Sequence, residues 1–257
     1  YGEGREREIR RVYERELKSF GDIPSSPLSY WMSEEIKSQY KRHVVLDAER
    51  GRVEGKSSCG SVVTGVKTGN IERYLRRFWE VANSGEWVPY PKGGEDTWML
   101  PVIQYSVDWR KEGALIERYP GPTQGLKGEY FKEGITYNIE KRSGRRFGVM
   151  PEESIFSEKG VAIFSDISIW RMCAYLNSRM VTYLMLGQNV DRSWKVGMVS
   201  KIPWLPSLKE TDIDAKAKKI VGSICSLRRS QLRSPYYFAP LLIRMLPYEP
   251  SGLLSHR

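Results

Sequence analysis

GITYNIEKRSGRRFGVMPEESIFSEKGVAIF, residues 134–164, decides the fold. Three short runs rich in β-branched and aromatic side chains, GITYNI (134–139), FGVM (147–150) and GVAIF (160–164), are separated by turn-forming stretches, a pattern that predicts three strands of a β-meander. The turn between the first two strands, KRSGRR (141–146), gathers four cations around Ser143 and Gly144. A hairpin tip of that composition either enters a nucleic-acid groove or is simply hydrated.

Upstream of this stretch, SVVTGVK (61–67) reads as a further strand, which Thr68-Gly69-Asn70 breaks before a helix predicted from Ile71 to about Val81. The aromatic, turn-rich segment from Trp87 to Trp109 contains a strand at Val102 to Val107, and the Pro- and Gly-containing residues 119–132 predict a loop. Near the N-terminus, Ile9, Val12, Tyr13, Leu17 and Phe20 recur at helical spacing until Gly21 and Pro24 end the pattern. A short helix over about 33–42 follows, opened by Ser33 with Glu34 and Glu35 in its first turn.

Downstream, the apolar Ile167–Leu186 predicts one long buried helix. A last helix over 212–232 lines Ile213, Ala217, Ile220, Val221, Ile224 and Leu227 along one side. Trp170, Trp194 and Trp204 read as core rather than as stacking platforms. The fold class is therefore α/β (α+β), with mixed small sheets and packed helices. Its organisation is a helical arm over residues 1–45, a central domain over 46–205 and a helical C-terminal extension over 206–257.

Among the 257 residues, 41 Lys and Arg outnumber 31 Asp and Glu, giving a formal charge of +10. Residues 1–140 hold 22 of each sign, so the excess lies wholly in the second half, in 141–201 and 212–257. A basic half with interleaved aromatics suits a phosphate-tracking surface, although the same excess also keeps a protein soluble. No apolar run reaches the ~18 residues of a membrane span, and the charged N-terminus does not read as an export signal, so a cytoplasmic protein is expected. Cys59, Cys173 and Cys225 are odd in number and far apart, and His43 and His256 lie at opposite ends. No zinc spacing or disulfide framework is legible, and no nucleotide-binding glycine loop or Walker lysine appears.

At GVKTGNIERYLRRFWEV (65–81) the sequence resembles the large adenine-specific DNA methyltransferases of BREX-type phage-defence systems and their type IIG restriction–modification relatives. The matching positions are Gly65, Lys67, Thr68, Gly69, Asn70, Arg73, Tyr74, Leu75, Arg76, Trp79, Glu80 and Val81. Five further blocks match in order: IPSSPLSYWMSE (23–34), WVPYPKGGE (87–95), YSVDWRKEGALI (105–116), the stretch 131–164 and AYLNSRMVTYLM (174–185). One departure follows Lys92-Gly93-Gly94-Glu95, where Asp96-Thr97-Trp98-Met99-Leu100 replaces the basic and aromatic residues of the family.

The family's methyl-transfer domain carries a glycine-containing cofactor loop and an Asn-Pro-Pro-Tyr type tetrapeptide, and neither string occurs here. The resemblance thus implies a target-recognition domain that binds double-stranded DNA without a catalytic centre of its own. It implies as partner a methyltransferase catalytic domain, in the same parent chain or in another subunit. S-adenosylmethionine is expected on that domain, and no cofactor on this chain.

Under that reading the first candidate for DNA contact is the turn Lys67, Thr68 and Asn70 with Arg73, a cation, a hydroxyl and an amide at the mouth of a helix. The bland reading is a helix cap. Lys141, Arg142, Arg145 and Arg146 form the second candidate. Thr136 and Asn138 are weaker, because alternate strand residues face a core, and Arg192 and Lys195 are candidate phosphate contacts. A protein-interaction subunit and a self-contained nuclease are the rival functions.

Overall fold

The computed structural model describes residues 13–25, 27–81, 85–94, 97–117, 127–140, 146–189, 193–205, 210–229 and 231. In chain order the elements are α1 (Glu34–Arg42), α2 (Ala48–Gly51), β1 (Ser61–Val63), α3 (Ile71–Tyr74), β2 (Leu75–Arg77), β3 (Trp87–Tyr90), β4 (Tyr105–Asp108), α4 (Ala114–Glu117), β5 (Gly134–Asn138), β6 (Phe147–Met150), β7 (Gly160–Phe164), α5 (Ile169–Leu176), α6 (Arg179–Gln188), α7 (Val196–Val199) and α8 (Glu210–Arg228). The mixed α/β class follows, with two small antiparallel sheets.

The larger sheet runs β1-β7-β5-β6 and the smaller β2-β4-β3. All three strands expected in 134–164 are present, but β7 pairs with the far side of β5, opposite β6, so they do not form a simple meander. Every residue of β5 and β6 is buried, because both faces of the large sheet are covered. Side chains alternate across a strand. Val62, Ile135, Tyr137 and Ile163 accordingly join Met172, Cys173, Leu176 and Val181 of α5 and α6, while Val63 and Ala162 join Val88 and Val107 of the small sheet.

The helix expected over Ile167–Leu186 is two helices. Asn177 donates through Nδ2 to the carbonyls of Phe147 (2.8 Å) and Cys173 (2.9 Å), and its Oδ1 accepts from the Phe147 amide at 3.2 Å. It thereby serves the backbone of β6, the outer strand of the sheet, instead of continuing a helix. Ser178 then caps α6 by accepting from the Val181 amide. The helix expected over 71–81 also stops early. After one turn the chain extends as β2, whose Leu75, Arg76 and Arg77 pair with Val107, Ser106 and Tyr105 of β4.

The arm docks by Tyr40 of α1, whose hydroxyl donates to the Leu184 carbonyl at 2.6 Å, with Ile23, Met32 and Leu184 packed around it. Leu17–Asp22 forms a 3-10 helix with Leu17 exposed, in place of the striped helix expected there, whose residues 5–12 lie outside the described residues. At the other end α8 packs along α5, with Ala217 buried and Asp214 facing Arg171 at 3.6 Å. Arg228, also buried, donates to the Leu100 carbonyl. Trp194 is buried, and Trp170 and Trp204 pack partly buried against the same core. No described helix is long and apolar enough to cross a membrane.

Candidate nucleic-acid interface

The turn at Lys67–Asn70 is held from both sides by main-chain pairing. Val66 donates to the Phe156 carbonyl at 2.9 Å, and its own carbonyl accepts from the Tyr90 hydroxyl at 2.8 Å. Gly69 then takes a left-handed φ of 70° and turns the chain into α3. Asn70 caps that helix, its Oδ1 accepting from the Arg73 amide at 3.0 Å. Lys67 and Arg73 are exposed, whereas Thr68 is buried. The turn therefore presents two cations, with the Nδ2 hydrogens of Asn70 left over from the cap. Asn70→Ala is expected to cost about 1 kcal/mol through the lost cap, read as a shifted urea midpoint. An unshifted midpoint would remove the cap from the account.

Four candidates are corrected, the buried Thr68 of the turn among them. Thr136 and Arg146 are fully buried and Asn138 nearly so. Thr136 pairs with Ala162, on the face covered by the small sheet. Asn138 turns its Oδ1 inward to the Glu140 amide at 3.0 Å. Arg146 closes the β5–β6 hairpin: its Nη1 donates to the carbonyls of Asn138 (3.2 Å) and Ile139 (2.9 Å), and its guanidinium lies 3.8 Å from the Trp194 ring centroid. Burial lowers its pKa to about 10, so it stays charged at neutral pH while facing the core. All four side chains are buried in the protein. Lys141, Arg142, Arg145 and Arg192 lie outside the described residues.

Lys195 is exposed and borders an open groove of about 550 Å³ between α2 and α7. Three cations that the sequence reading overlooked share it: Arg50, Arg52 and Lys201. Asp47 caps α2 by accepting from the Arg50 amide, and its second oxygen accepts from the Val62 amide at 2.8 Å, so α2 is tied to β1. The main chain of 46 and 47 donates to the carbonyls of Ile202 and Ser200, which brings residues about 150 positions apart in sequence onto one surface. Among the described residues Arg50, Arg52 and Lys195 have no ion-pair partner. Lys201 donates to Ser25 Oγ at 2.5 Å, and partial burial lowers its pKa.

A third surface runs along the small sheet. Arg77 lies 4.2 Å from the Tyr105 ring centroid and Lys92 4.6 Å from the same ring, with Arg76 near Trp87 and Trp79 largely exposed. Arg77 is also held by Gln104 at 2.5 Å. These cations are engaged by protein groups, and Arg73 likewise lies 5.4 Å from the Tyr74 ring centroid, which leaves Lys67 with Arg50, Arg52 and Lys195 as the more available cations among the described residues.

The chain is similar to an adenine-specific methyltransferase. It is 24% identical over 206 residues to Adenine-specific methyltransferase PglX of Lacticaseibacillus casei (strain Zhang), a match covering 75% of this chain and 17% of PglX. The similarity supports a distant relation to PglX. The chain thus spans a small part of that relative's length. No protein-family profile matches the chain.

Proposed function

We propose that the chain is the target-recognition part of an adenine-specific DNA methyltransferase of a BREX-type defence or restriction–modification system, binding double-stranded DNA in the cytoplasm. The observation that carries this reading is the similarity to PglX over a segment amounting to 17% of that protein, in a chain without an Asn-Pro-Pro-Tyr string. Methyl transfer and S-adenosylmethionine are assigned to a methyltransferase catalytic domain, in the same parent chain or in a partner subunit.

Such an enzyme must swing one adenine out of the stack while the rest of the duplex stays in register. A recognition part contributes by gripping phosphates and reading base edges. In this proposal Lys67, Arg73 and Lys195 grip the backbone. The Asn70 amide is the described side chain suited to an adenine or thymine edge.

Titrating the 257-residue chain against a duplex from about 50 to about 200 mM salt tests the reading. Binding that weakens linearly on a log–log plot is expected. Absence of binding at the lowest salt, or binding indifferent to salt, contradicts it, as does metal-dependent cleavage of the duplex by this chain alone.

A further inference from the structure

We propose that the groove between α2 and α7 is a sequence-independent phosphodiester clamp for one strand of duplex DNA, built from Arg50, Arg52, Lys195 and Lys201. It deepens the duplex-binding reading and rests on it. Among the described residues the lining contains four cations and no carboxylate. Like charges gathered this way repel one another unless a polyanion compensates them. Lys18, Lys37, Lys41, Arg110, Lys132 and Arg171 each have an acidic partner within 4 Å, while Arg50, Arg52 and Lys195, like Lys67 and several other cations, have none among the described residues. Two carboxylates, Asp47 and Glu49, line the adjoining recess beyond Arg50 and Arg52. There the Asp47 oxygens already accept from the Arg50 and Val62 amides, and Glu49 is exposed.

Arg52 adds a conformational argument. It sits at the end of α2 with φ 52° and ψ 50°, held by its amide donating to the carbonyls of Ala48 and Glu49. That left-handed position suits glycine, and a non-glycine residue there is strained. Arg52 lines the groove from that position. Among the described residues the lining holds no Asn or Gln, the amides that pair with an adenine edge. The groove is open rather than enclosed, as an elongated polymer requires. Thr64 lines it, three residues before Lys67 in the chain.

The test compares the full chain with Arg52→Gly, Lys195→Ala and the triple variant Arg50→Ala/Arg52→Gly/Lys195→Ala, on two duplexes of unrelated sequence across the same salt range. Arg52→Gly relieves the backbone while removing the charge, and Lys195→Ala truncates an exposed side chain, so both keep the fold. Each single variant is expected to lose affinity equally for both duplexes and to flatten the salt slope by about one, and the triple by about three. An unchanged slope in the single variants, with the parent still binding, overturns the clamp and leaves duplex recognition standing. A loss confined to one of the two duplexes also overturns it, because the groove would then be reading bases. A parent chain that binds neither duplex overturns both proposals.

Discussion

Arg146→Ala is expected to lower folding stability by about 3–5 kcal/mol, through a cavity beside Trp194 and the unpairing of buried carbonyls. The side chain is fully buried, and its Nη1 serves the carbonyls of Asn138 and Ile139 where β5 turns toward β6. Thr97 adds a hydroxyl donor to the Arg146 carbonyl, so this residue links the hairpin to the segment after the Lys92-Gly93-Gly94 turn. Urea unfolding followed by tryptophan fluorescence reads the loss directly. Arg146→Lys keeps the charge but not the planar fork, and should recover only part of it. A parent-like midpoint for Arg146→Ala would place the side chain outside the core.

Gly65→Ala should cost about 3 kcal/mol, since overpacking at a rigid backbone contact forces the chain to move. A methyl group at Gly65 collides with the Phe156 carbonyl, the same carbonyl that accepts from Val66. The collision pushes apart the two segments that position Lys67 and Asn70, so duplex affinity should fall with stability. Gly21→Ala is the control. Nothing lies within 4 Å of a Cβ at that position, and the change should stay within about 0.5 kcal/mol. Equal midpoints for the two variants would remove the 65–66 and 156–157 pairing as the anchor of the turn.

The strands of 134–164 were legible because β-branched runs and basic or Pro-containing turns are local signals. Likewise Ser33, Glu34 and Glu35 placed the start of α1, and α8 differs from its expected bounds by only a few residues. What sequence could not show depends on partners far along the chain. Asn177 breaks the long helix because its amide pairs with Phe147, 30 residues away. Residues 75–77 extend because β4 offers them a strand to pair with.

The same reasoning separates the candidate site residues. The Lys67–Arg73 turn was readable because its glycine, cap and helix mouth are contiguous. Arg146 read as the last cation of a DNA-contacting tip, and only the distant Trp194 ring and the inward carbonyls of 138 and 139 explain its burial. Arg50, Arg52 and Lys201 carried no local signature at all. They become a cationic surface with Lys195 only through the main-chain pairing of residues 46 and 47 with 200 and 202.

Selection from a pool of random-sequence duplexes, using the 257-residue chain as bait, tests the central claim most directly. Enrichment of one short motif containing an adenine is predicted. Recovery of a pool with no preferred sequence, at salt where the chain still binds duplex, would contradict target recognition.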